Sequence, residues 1–284
     1  MTEQKASTHD GGELAVYTYG SDNAPGERRV VVVGGAFLTA LIYRPFSMAL
    51  AKGLGEGWAV DVYDRRGRGN STPQPEDYSM ATEIADVRTV LDTTGARNLF
   101  GHSLGGSVAL NAVQEFAGSS HEPAKLAVYD AAVNIQGSID TDWLAGFEEA
   151  VNAGRIGLAL ARMRRGMQPG TALARVPEPV LAGLMALMSR TRVNRLLTEL
   201  MPSAVGELKA AYDEAEDVRD FSVLPANTHF MVGGKSPAYY RETARRLHAA
   251  VPGSTLRTSP EGAHGSIPAA FDELVSDIAE YYRG

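Results

Sequence analysis

The hexapeptide Gly101-His102-Ser103-Leu104-Gly105-Gly106 constrains this chain more than any other stretch. It follows a short apolar run, Asn98-Leu99-Phe100, and opens a helix-compatible run that ends at Phe116. A strand that feeds a helix through G-x-S-x-G is a nucleophile elbow, in which the serine sits on a sharp, strained turn. The glycines answer crowding, because a side chain at 101 or 105 would collide with the neighbouring backbone. The turn lifts the serine hydroxyl above the sheet edge. It also leaves the Leu104 N–H at a helix start, free to hold a developing negative charge. A glycine-rich βα turn with an incidental serine has the same local pattern, so the partners of Ser103 must be sought elsewhere.

The surrounding rhythm gives the fold. Glu13–Tyr19 alternates as a strand does, and Arg29–Val33 is a continuous β-branched run of the kind buried on both faces of a parallel sheet. Trp58–Tyr63, Asn98–Phe100, Lys125–Tyr129, Thr228–Val232 and Ser254–Thr258 complete the set. Helical stretches fall between them: one to about Lys52, one from an N-cap at Ser79 to Gly95, one over 238–250 and one over 268–282. Strands alternating with helices predict an α/β chain with a doubly wound, mostly parallel sheet of about seven to eight strands. Residues 1–12 are expected to be loosely packed. From 136 to 220 no strand is found. Helices are expected there, with breaks at Gly154, at 166–170, at Pro177–Pro179 and at Pro202. The predicted organisation is a core of 1–135 and 221–284 with a helical cap or lid, 136–220, inserted where strand ends carry function. A peripheral helical packing unit is the alternative for that block.

Composition narrows the function. A net charge of −7 argues against a nucleic-acid partner and gives no support to an anionic membrane surface. No run approaches the ~20 apolar residues that span a bilayer, so no membrane insertion is expected. The chain has no cysteine, which removes disulfides, thiolate chemistry and cysteine metal sites. With a polar N-terminus, Met1–Asp10, this fits a cytoplasmic protein acting on a small molecule, as monomer or homodimer. No metal is expected.

A serine hydroxyl needs a base. Of the six histidines, His9 lies in the loose start, His121 in a polar loop, His229 in a strand and His248 in a helix. His102 adjoins the serine, and its side chain is expected to point away. His264 sits in Pro260–Gly265, just past a strand, at the sheet edge that carries Ser103, and is the expected base. The acid that orients it should end a strand between serine and histidine in the chain. The loop Gly233–Pro237 has no carboxylate, whereas Asp130 directly follows the 125–129 strand. Asp130 is therefore the expected acid; if it only serves its loop, a Ser–His dyad remains. Ala36, in Gly34-Gly35-Ala36, joins Leu104 as the second oxyanion donor, with Phe37 one residue away.

At this point the chain resembles the α/β-hydrolase superfamily. The resemblance rests on Gly101–Gly106, on Asp64-Arg65-Arg66-Gly67-Arg68-Gly69-Asn70-Ser71, which is similar to the family's D-x-R-G-x-G-x-S turn, and on Gly262-Ala263-His264. It covers almost everything outside 136–220, and implies a serine nucleophile, a histidine base, an acid and no cofactor. Two departures stand out. Gly34-Gly35 replaces the family's frequent His-Gly, and Ser236 occupies the usual acid position. Some members, haloalkane dehalogenases among them, place the acid after the preceding strand, the position of Asp130. Their nucleophile is an aspartate, as in epoxide hydrolases, so Ser103 points to acyl transfer.

The resulting expectation is a serine hydrolase cleaving an ester, thioester or lactone of a small, largely apolar molecule. A lyase or cyclase on the same fold, using His264 without an acyl-enzyme, and a small-molecule receptor remain as alternatives. Substrate contacts are sought at Phe37, Met163, Met185, Met188 and Tyr239, since five of the nine methionines lie in the inserted block and methionine lines adaptable pockets. Helix–helix core is the competing role for those methionines. Tyr240 lies beside Tyr239, just past the Ser236 loop.

Overall fold

The computed structural model describes residues 1–168, 170–189, 192–212 and 216–284. Of the inserted block, residues 169, 190, 191 and 213–215 lie outside the described residues. Eight strands form one sheet in the order β1-β2-β4-β3-β5-β6-β7-β8. They are β1 (Thr2–Ser7), β2 (Glu13–Gly20), β3 (Arg29–Val33), β4 (Ala59–Tyr63), β5 (Asn98–His102), β6 (Lys125–Tyr129), β7 (His229–Gly233) and β8 (Thr255–Ser259). From β4 to β8 every pairing is parallel; β1 and β2 add an antiparallel edge. Parallel strands run to a common edge, so the loops after β3, β5, β6, β7 and β8 gather on one side of the sheet.

β3, β4 and β5 are buried throughout, because helices cover both faces. Val30 and Val32 face one cluster, built with α1 (Arg44–Leu54) and α9 (Asp272–Arg283). Val31 and Val33 face the other, built with α2 (Met80–Thr94), α3 (Leu104–Phe116) and α8 (Ala238–Ala250). Ser79 caps α2, and Gly95 ends it at φ 69°, where glycine has no steric cost.

Two expectations are corrected. Residues 2–7 are a strand: β1 pairs with β2 from Thr2↔Thr18 to Ser7↔Glu13. Only Ala6 of β1 is buried, so an edge held by ladder hydrogen bonds leaves almost no apolar pattern to read. The break at Pro202 is also absent. Between β6 and β7 lie α4 (Trp143–Asn152), α5 (Ile156–Met167), α6 (Glu178–Met188) and α7 (Arg192–Tyr212), and α7 runs through Pro202. Met201, Ala204, Leu208 and Ala211 are buried on both sides of the proline, and that burial offsets the ~3 kcal/mol it costs a helix. No helix among the described residues is long and apolar enough to cross a membrane.

Candidate active site

Ser103 lies between β5 and α3 with φ 57° and ψ −126°, a backbone conformation that a side chain enters only under strain. The glycines make it possible. A Cβ on Gly105 would stand 2.2 Å from the Val33 carbonyl oxygen, and one on Gly101 would stand 2.7 Å from the Gly106 Cα. The turn is tied across the sheet by Ser103 N–H donating to the Tyr129 carbonyl (3.0 Å) and by Ala132 N–H donating to the Ser103 carbonyl (3.0 Å). Ser103 is 6% exposed.

His264 and Asp130 meet at the same edge. Asp130 directly follows β6, is fully buried, and accepts from His264 Nδ1 at 3.0 Å through Oδ2. Ser236 Oγ donates to the same oxygen at 2.6 Å, and Gly233 N–H donates to Oδ1 at 3.0 Å. The serine at the family's usual acid position thus supports the carboxylate of the preceding strand. With Nδ1–H directed at a carboxylate, the lone pair of His264 is on Nε2. That nitrogen faces Tyr240 Oη at 3.3 Å, and the phenol ring stacks on the imidazole at 4.6 Å and 11°. No hydrogen bond joins Nε2 to Ser103 Oγ among the described residues. Apo active sites are often looser than their substrate complexes in this way. Burial pushes the Tyr240 hydroxyl well above the ordinary phenol range, so it stays an O–H.

The loop after β3 passes directly against the serine: a Cβ on Gly35 would fall 2.9 Å from Ser103 Cβ. The N–H groups of Ala36 and Leu104 have no hydrogen-bond acceptor among the described residues, whereas Gly35 N–H donates to Tyr43 Oη at 2.7 Å. Gly34 explains the departure from His-Gly. A Cβ there would lie 2.8 Å from the Tyr43 ring, so only glycine leaves room for that tyrosine beneath the loop. Arginines of the turn after β4 fasten the same loop: Arg65 Nη1 donates to the Gly34 carbonyl, and Arg68 Nη1 to those of Gly35 and Leu38. Both guanidiniums are buried and face Glu207 of α7, and Arg65 also pairs with Glu83.

His102 is tied to the site through both ring nitrogens. Its Nε2 lies 2.9 Å from the His264 carbonyl oxygen, and its Nδ1 lies 2.7 Å from Tyr43 Oη. A carbonyl only accepts, so Nε2 carries the proton and Nδ1 accepts from Tyr43. Burial, reinforced by His264, holds His102 well below the usual imidazole pKa and keeps it neutral. A buried chain of hydrogen bonds therefore runs from the His264 backbone through His102 and Tyr43 to Gly35. No sequence pattern announces Tyr43 in this role.

A cavity of about 650 Å³ opens on His264 between the helical insertion and the core. Its walls include Trp143, Met167, Tyr212 and Tyr239. Of the residues sought as substrate contacts, Tyr239 lines this cavity, and Phe37, Met163, Met185 and Met188 do not. Met185 is buried in the core, Met163 packs against that core, and Met188 is on the surface. Their helices pack on one another, and that packing takes Met163 and Met185. Phe37 is buried edge-on against Phe147, with ring centroids 6.3 Å apart. Among the described residues no group of three or more His, Cys, Asp or Glu side chains is arranged to hold a metal ion.

The sequence model of the Alpha/beta hydrolase family matches residues 30–277. An alpha/beta hydrolase from Sphaerobacter thermophilus DSM 20745 is similar over 98% of this chain and 100% of its own, with 26% identity and a TM-score of 0.75. The enol-lactonase from Burkholderia xenovorans LB400 superposes at TM-score 0.74 with 20% identity, covering 99% of this chain and 100% of that one. A thermophilic esterase from Thermogutta terrifontis gives 0.72 and 19%, covering 100% and 98%. No curated protein matches the sequence significantly. The strand order, the elbow and the match across 30–277 agree: the chain belongs to the alpha/beta hydrolase family.

Proposed function

We propose that this protein is a serine hydrolase that cleaves an ester, thioester or lactone of a small, largely apolar molecule. The observation that carries the proposal is the His264–Asp130 hydrogen bond, set on the same sheet edge as a serine in an elbow conformation. Ser103 Oγ attacks the carbonyl carbon while its proton passes to His264 Nε2. The N–H groups of Ala36 and Leu104 receive the oxyanion. Collapse expels the alkoxide or thiolate, which takes the proton from Nε2 and leaves an acyl-Ser103. Water, deprotonated by the same nitrogen, adds to the acyl carbon; the acid departs and Ser103 regains its proton. Asp130 stabilises the imidazolium in both halves. Residues 136–220 act as a cap over the site.

The test is an ester and lactone panel read against Ser103→Ala and His264→Ala. Each variant loses several orders of magnitude in turnover if the mechanism holds; retained turnover in either one overturns it. One observation favours a second reading. Because Nε2 faces Tyr240 rather than Ser103, His264 is also placed to act as the base of a lyase or cyclase without an acyl-enzyme. Trapping an acyl group on Ser103 by acid quench rejects that reading.

A further inference from the structure

The cavity against His264 has a chemical character that names its occupant more closely. Three of its walls are aromatic, Trp143 from α4, Tyr212 from α7 and Tyr239 from α8, and its size is that of a small-molecule pocket. The indole is held in place. Its Nε1–H donates to the Asp140 carbonyl at 2.9 Å, and its ring is tilted on Phe147 at 5.7 Å. A Cβ on Gly166 would fall 2.2 Å from the indole Cγ, so the glycine lets the ring lie against the end of α5. Tyr212 is 8% exposed, and its hydroxyl has no hydrogen-bond partner among the described residues. Burial pushes that hydroxyl far above the ordinary phenol pKa, so it is a neutral donor. Tyr212 lines the cavity, and a hydroxyl there without a protein acceptor is open to an acceptor on a ligand. No arginine lines the cavity among the described residues. Its lysine, Lys235, is paired with Glu261. Nothing there calls for an anionic ligand.

We infer that the cavity is the binding site for the non-reacting part of the substrate. That part is an uncharged, planar aromatic ring system bearing an acceptor oxygen remote from the scissile carbonyl. The ring stacks among Trp143, Tyr212 and Tyr239. The remote oxygen accepts from Tyr212 Oη, and the ester or lactone end lies at His264. This inference rests on the hydrolase reading for the identity of the reacting group, and on the cavity alone for the rest.

The test is calorimetric binding to Ser103→Ala, which cannot turn substrate over through an acyl-enzyme. Three probes of matched size are used: methyl 6-methoxy-2-naphthoate, methyl 2-naphthoate and the saturated methyl decalin-2-carboxylate. The expected affinities fall in that order, about fivefold per step. In Ser103→Ala/Tyr212→Phe, which keeps the ring, the methoxy step vanishes while the aromatic step remains. The inference is overturned if the decalin ester binds as tightly as the naphthoates, if no probe binds, or if the methoxy preference is absent or survives Tyr212→Phe. A melting curve within ~2 °C of the parent shows that the double variant is folded. Loss of the hydrolase reading is registered separately, by the wild type failing to form an acyl-Ser103 while the binding order persists.

Discussion

Replacing Asp130 with asparagine exchanges one acceptor oxygen for a donor nitrogen in a fully buried site that receives three hydrogen bonds. Two orientations of the amide compete. With the nitrogen at the Oδ2 position it opposes both Ser236 O–H and His264 Nδ1–H. With the oxygen there, both donors keep their acceptor and only Gly233 N–H is opposed, so this orientation wins. The unmatched Gly233 N–H costs about 1–3 kcal/mol of stability. The larger loss is electrostatic. A unit charge pair at 3.0 Å is worth about 5 kcal/mol at an effective dielectric of ~20, and it exists only when His264 is protonated, as in the transition state. Turnover is therefore expected to fall by about 10³–10⁴, with KM little changed. The melting midpoint is expected to fall by only ~2–8 °C. Ester kinetics and calorimetric melting read the two effects separately. An Asp130→Asn protein that is folded and turns over within tenfold of wild type refutes the reasoning.

The remaining expectations follow from single contacts. Tyr240→Phe keeps the ring stack but frees the His264 lone pair from a competing O–H, so fluorophosphonate inactivation should be about fivefold faster; an equal or slower rate contradicts this. Tyr43→Phe leaves both Gly35 N–H and His102 Nδ1 unmatched in a buried position, at about 2–4 kcal/mol by urea unfolding, and an unchanged midpoint refutes the relay. Burial raises the carboxyl of Glu216 to about 7 from 4.5. The folded state then binds more protons than the unfolded one between those values, so stability falls as pH rises from 4.5 to 7. Glu216→Gln should remove that part of the decline; parallel stability curves for the two proteins would disprove it. Asp86, raised to about 6 chiefly by burial, contributes equally to both curves.

What was legible in the sequence was local. The elbow glycines, the β-branched run of β3 and the strand ends at Asp130 and His264 each declare themselves within a few residues, because sterics and burial act on neighbours. What was hidden depends on distant segments. Gly35, Tyr43, His102 and His264 form one relay across 229 residues of chain, and no spacing rule links a tyrosine at the start of α1 to a glycine loop. The cavity wall draws one or two residues each from α4, α5, α7 and α8, so its aromatic character is scattered in the sequence. Methionine content pointed to α5 and α6, whose methionines Met163, Met185 and Met188 were taken by helix packing or left on the surface, while Met167 reaches the cavity. β1 leaves no sequence signal because an edge strand with one buried residue has no periodicity, and Pro202 signals a break because propensity is local while the burial that overrides it is not.

Intact-mass analysis after fluorophosphonate treatment tests the central claim most directly, with wild type, Ser103→Ala and His264→Ala compared. The account predicts one adduct on wild type, mapped to Ser103, none on Ser103→Ala and a greatly slowed adduct on His264→Ala. A folded wild-type protein that forms no adduct, or one that reacts equally fast without His264, would contradict an activated serine at this site.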